Sequence, residues 1–119
     1  MDKEINLTVF ERLLLRNIIP QMQGWNYGSM KQAREVMESC FTEEEEATLN
    51  IHQETEKEGK VRTIWAVRDA AGNDIPQEKK LTLSDGLYTK IVRFLENLNA
   101  REQLDWQQMT LYEKFTGGK

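Results

Sequence analysis

The apolar positions of this chain change period twice. From Thr8 to about residue 49 they recur at three- and four-residue steps, from there to Leu83 they alternate, and afterwards the helical step returns. The strongest stretch is Leu81–Leu98. It begins with strand-like alternation, passes Ser84, a residue suited to a helix N-cap, and enters a run in which Leu87, Ile91, Phe94, Leu95 and Leu98 share one helical face. Tyr88 and Val92 widen that face beyond a coiled-coil seam, as in a core helix with more than one neighbour.

Upstream, Ile5 and Leu7 alternate with polar residues and predict a short edge strand. Thr8-Val-Phe-Glu11 is a capping box, in which hydroxyl and carboxylate each accept from the other residue's backbone N–H. The helix it opens places Phe10, Leu13, Leu14 and Ile18 on one side, broadened by Leu15 and Ile19, and Pro20 ends it. Gln21–Gly28 reads as a loop. Ser29-Met-Lys-Gln32 predicts a second box, before a helix with Met30, Ala33, Val36, Met37, Cys40 and Phe41 inward. Thr42-Glu-Glu-Glu45 opens a short acidic helix to about Leu49.

Asn50–Thr55 reads as a strand, and Glu56–Lys60 as a turn with Gly59 at its positive φ. Val61, Thr63, Trp65 and Val67 then alternate with Arg62, Ile64, Ala66 and Arg68 as a second strand, with Trp65 assigned to the core. Ala71–Asp74 is a turn, and Ile75–Leu83 a third strand whose early Pro76 suits an edge. After the Leu87–Leu98 helix and a short connection, Asp105-Trp-Gln-Gln108 caps a last helix. That helix would send Trp106, Met109, Tyr112 and Phe115 inward, before a frayed Thr116–Lys119. The expected fold is α+β: one three-stranded antiparallel meander against four to five helices, in the order α-α-α(short)-β-β-β-α-α, as a single domain over 1–119.

Composition changes this picture little. The chain has 119 residues, 30% of them charged and 39% hydrophobic, which is the profile of a folded globular domain. A net charge of −4 weighs against nucleic acid as a partner, since that surface must displace cations from phosphate. No apolar run is long enough for a membrane span, and the charged Met1-Asp-Lys-Glu start does not resemble a signal peptide. A lone cysteine, Cys40, permits no internal disulfide or cysteine zinc cluster, so a reducing cytoplasm is expected. No metal or cofactor is expected.

Chemistry-bearing motifs are absent: there is no Walker loop, GxGxxG, GxSxG or HExxH. His52 is the single histidine and reads as a solvated strand residue; Cys40, beside Val36 and Met37, reads as a small core hydrophobe. Glu43–Glu46 reads as a dipole-stabilised first turn. No catalytic residue is assigned and no enzyme is expected. The best site candidate is the loop Gly24-Trp-Asn-Tyr-Gly28 with the helix start behind it. Trp25 and Tyr27 are placed either to stack on a ring or partner side chain or to fold back as core plugs, while Ser29, Lys31 and Arg34 stand ready for an anion.

Leu7-Thr-Val-Phe-Glu-Arg-Leu-Leu-Leu-Arg-Asn-Ile-Ile-Pro20, Phe41-Thr-Glu-Glu-Glu45 and Leu111-Tyr-Glu-Lys-Phe115 resemble blocks in small uncharacterised proteins encoded by bacteriophages and prophages. The resemblance covers most of the chain and implies a viral accessory protein in the host cytoplasm, with no catalytic residues to transfer. The expected function is therefore an interaction protein that self-associates as a homo-oligomer and engages a host or phage protein. The alternative is a binder of a small anionic, nucleotide-like host signal through Trp25, Tyr27, Ser29, Lys31 and Arg34. An enzyme using Glu and His52 ranks third.

Overall fold

A computed structural model describes residues 2–117; Met1, Gly118 and Lys119, and with them the end of the predicted frayed tail, lie outside it. The described residues form strand β1 (Lys3–Leu7), helices α1 (Val9–Ile18), α2 (Tyr27–Ser39) and α3 (Glu43–Leu49), strands β2 (His52–Thr55), β3 (Val61–Ile64) and β4 (Lys79–Leu83), and helices α4 (Asp85–Ala100) and α5 (Met109–Thr116). Single 3-10 turns, Ile19–Gln21 and Trp106–Gln108, follow α1 and precede α5. The class is α+β, but the meander is replaced by two separate two-stranded antiparallel sheets, β1–β4 and β2–β3.

The third predicted strand pairs with the N-terminal one because each supplies half of an apolar face. Ile5 stands opposite Leu81, Lys3 opposite Leu83 and Leu7 opposite Lys79, and the four apolar side chains are all buried. Pro76, with no N–H to give a ladder, lies outside the strand, which starts only at Lys79. Alternation reveals that a strand has an inner face; it does not reveal which distant strand shares it.

Contacts divide the chain into two compact units, one formed by 1–40 with 78–119 and the other by 41–77. In the first, α1 and α5 pack on β1, α2 packs on β4, and α4 lies against both α2 and α5. Its core holds Leu7, Leu15, Ile18, Val36, Leu83, Leu87, Ile91, Leu95, Leu111 and Phe115, among others. The Thr8 box forms as read, with the Glu11 N–H on Thr8 Oγ1 (3.2 Å) and the Thr8 N–H on Glu11 Oε1 (2.9 Å). Yet α1 is rotated from the predicted face: Glu11 and Arg12 are buried, while Leu13 and Leu14 are half-buried and Phe10 lies near the surface.

Specific partners make burial of those two charges tolerable. Lys114 Nζ on α5 stands 2.6 Å from Glu11 Oε1 and also donates to the Asn6 carbonyl (3.0 Å). Burial pushes the Glu11 carboxyl up, but Lys114, the Thr8 N–H and the Thr110 side chain outweigh it, so its pKa lies below the ordinary value. Arg12 donates through Nη1 to the Cys40 carbonyl (2.7 Å), and Lys79 Nζ donates to that of Ser39 (2.9 Å). Two cations thus meet the carbonyl end of α2, where the helix dipole is negative.

The second unit is a hairpin and turns with few buried side chains: Phe41, Leu49 and Ile75. The Thr42 box caps α3 as read, and Asn50 ends that helix in the left-handed region (φ 51°). Gly59 (φ 76°) closes the β2–β3 turn. Trp65 is half-buried, its Nε1 donating to Gln77 Oε1 (3.1 Å).

Candidate functional site

The start of α2 is built differently from the Ser29 box that the pattern suggests. Asn26 is the N-cap: the Ser29 N–H donates to Asn26 Oδ1 (2.8 Å) and the Asn26 N–H to Ser29 Oγ (3.1 Å). Asn followed three residues later by a hydroxyl satisfies the same two donors as the usual box. Beginning the helix at Tyr27 rather than after Ser29 splits the five candidate residues between two surfaces.

Trp25 and Ser29 line one of these, a groove of about 960 Å³ in the first unit between the Gln21–Trp25 loop, the start of α2 and one side of α4. Trp25 is half-buried. Its Nε1 donates to the Met22 carbonyl (3.0 Å), and Lys90 Nζ sits 4.8 Å from its ring centroid while donating to the Gly24 carbonyl (3.0 Å). One ammonium therefore ties the loop to α4 through a charge-assisted hydrogen bond and a cation–π contact. Gly24 permits the approach: its φ is 83°, and a Cβ there would lie 3.2 Å from Lys90 Nζ. Gln32, which also lines the groove, accepts through Oε1 from Ser84 Oγ (3.0 Å), the hydroxyl that caps α4 by accepting from the Leu87 N–H.

Tyr27, Lys31 and Arg34 lie outside that groove. They recur on α2 at steps of four and three with Met30 between them, a single solvent-facing stripe. Tyr27 is 79% exposed and Met30 54%, so neither is a core plug, and Met30 does not take the inward place its spacing suggests. Ala33, Val36 and Cys40 form the buried side of that helix. Among the described residues Lys31 and Arg34 have neither an ion pair nor a side-chain hydrogen bond.

A second exposed apolar pair, Trp106 (88%) and Met109 (48%), stands at the start of α5, where core positions were expected; only Leu111, Tyr112 and Phe115 point inward. Sequence reasoning also passed over the polar side of α4. Lys90, Arg93, Asn97 and Arg101 recur at steps of three and four and line the groove, a signal available in the sequence alone.

His52 is exposed, with Nδ1 2.7 Å from the Asn50 carbonyl and Nε2 3.0 Å from Glu54 Oε1. Those two acceptors raise its pKa above 6.5, the Asn50 carbonyl foremost. Among the described residues no group of three or more His, Cys, Asp or Glu is arranged to hold a metal, and no helix is long and apolar enough to cross a membrane. Cys40 is buried. Comparison with protein-family models, curated proteins and solved structures finds no match to this chain.

Proposed function

We propose that this is an interaction protein that docks a host or phage protein on the outer stripe of α2. The observation that carries the reading is the exposure of Tyr27 and Met30 one helical turn apart, flanked by Lys31 and Arg34, which form no ion pair among the described residues. Large apolar side chains so exposed and so close are typical of contact surfaces, and Tyr and Arg are the residue types that dominate binding energy in interfaces. The complementary partner surface is an apolar pocket rimmed by carboxylates.

Self-association is assigned to a different surface, the exposed Trp106–Met109 pair. A two-fold interface there would cover both side chains on each copy. The phage-type resemblance of the capping and core blocks supports a partner found in a bacterial cytoplasm.

A photo-crosslinking residue placed at Tyr27 or Met30, and as a control at Glu58 in the second unit's hairpin turn, tests the docking surface in cells. The expected result is one protein joined from both α2 positions and not from Glu58. The same products from all three positions, or none from α2, would overturn the assignment.

A further inference from the structure

The groove beside α4 carries an inference of its own, independent of the α2 stripe. We infer that it binds an organic phosphate bearing a flat heteroaromatic ring, a ligand of nucleotide size.

Charge is the first argument. The chain as a whole is acidic, yet the groove is lined by Lys90, Arg93 and Arg101 against the single carboxylate of Asp85. The guanidinium groups of Arg93 and Arg101 have no hydrogen bond or ion pair among the described residues. Lys90 is held in place by the Gly24 carbonyl and the Trp25 ring, so its charge is fixed at the groove wall before any ligand arrives. Eight residues of helix separate Arg93 from Arg101, about 12 Å of rise, a spread suited to an anion with extended charge rather than a single small ion. Arginine's planar fork matches phosphate oxygens two at a time.

The floor supplies the second argument. Phe94 and Leu98 are half-buried at the groove, an apolar shelf beside the cationic row. A flat ring can lie on that shelf. An aliphatic tail would instead run along cations and amides and strip them of water without replacing it. The exposed Asn97 amide and the Nε2 of Gln32, whose Oε1 is already engaged by Ser84, offer hydrogen bonds to a ring edge that carries nitrogen or oxygen. The volume of about 960 Å³ lies at the upper end of small-ligand sites, so a mononucleotide fits with room for its solvation.

Calorimetric titration of the full chain with ATP, with inorganic tripolyphosphate and with adenosine separates the two contributions. ATP should bind at least about tenfold more tightly than either fragment, since only ATP uses both shelf and cations. Arg93→Ala and Arg101→Ala should each weaken ATP binding by about tenfold, with circular dichroism and melting unchanged because both side chains are exposed. Equal affinity for tripolyphosphate and ATP would overturn the ring shelf. ATP binding indifferent to both substitutions, or no heat with ATP at about 1 mM, would overturn the site. Preference for a short oligoadenylate or an acidic peptide over ATP would overturn the ligand class. Loss of partner crosslinking from α2 would leave these titrations untouched.

Discussion

Lys114→Met isolates the interaction that joins the two ends of the chain. Methionine keeps the length of the side chain and its helix propensity, so the substitution removes chiefly the ammonium. Glu11 then stays buried with only the Thr8 N–H and the Thr110 side chain, and the Asn6 carbonyl loses its donor. Removing one partner of a buried ion pair costs about 3–5 kcal/mol. Lys114 is 31% exposed and water partly screens it, which brings the expectation down to about 2 kcal/mol. For a domain of this size that is a fall of about 8 °C in Tm.

The pH dependence supplies a second, independent reading. Glu11 has a lowered pKa, so its contribution is present above the ordinary value of 4.5 and is lost as pH falls through the lower, folded value. Without Lys114 the carboxyl loses two of the contributions that lower its pKa and protonates at higher pH than in the wild type. The gap between wild type and variant should therefore shrink on acidification, to about 1 kcal/mol for the Asn6 hydrogen bond alone. Urea unfolding at neutral pH and at about pH 3 measures both quantities. A loss below about 0.5 kcal/mol at neutral pH, or a gap independent of pH, would refute the reasoning.

Three further outcomes follow from the geometry. Gly24→Ala should destabilise the chain by about 1–2 kcal/mol and shift tryptophan fluorescence to the red, because the new Cβ meets Lys90 Nζ at a positive φ and loosens Trp25; unchanged melting and emission would contradict the tie that Lys90 makes between the loop and α4. His52 should titrate above 6.5 by NMR and drop towards that value in Glu54→Gln, and its contribution to stability should be full below 6.5 and lost as pH rises through the folded value. A midpoint at or below 6.5 would remove the Asn50 and Glu54 contacts from the account. Trp106→Ser should shift sedimentation equilibrium towards the monomer with little change in melting, since that indole is 88% exposed; an unchanged distribution would exclude this surface from self-association.

Local chemistry was well legible in the chain. The capping groups at Thr8, Thr42 and Ser84, the Gly59 turn and the Leu87–Ile91–Leu95 face are each decided within a few residues, and each is found where the pattern places it. Failures came where a distant partner decides. β4 pairs with a strand more than seventy residues away, which alternation cannot reveal. Glu11 and Arg12 are inside because Lys114 and the Cys40 carbonyl await them, whereas hydropathy assigns them to solvent. Tyr27, Met30, Trp106 and Met109 carry an apolar signature indistinguishable from that of core residues, and only the fold separates exposed from buried. The candidate loop lies at the edge of the groove beside α4. Its residues divide between groove and stripe because Asn26 starts the helix earlier than Ser29 would, a competition between two good caps that the sequence leaves open.

The docking surface is tested most directly by titrating the crosslinked partner, once identified and purified, against the wild-type chain, Tyr27→Ala and the double charge reversal Lys31→Glu with Arg34→Glu. Tyr27→Ala should weaken binding by at least about tenfold, and the charge reversal should do so with a reduced dependence on salt. Full affinity in both variants, with their folds intact, would contradict the claim that α2 presents the interface.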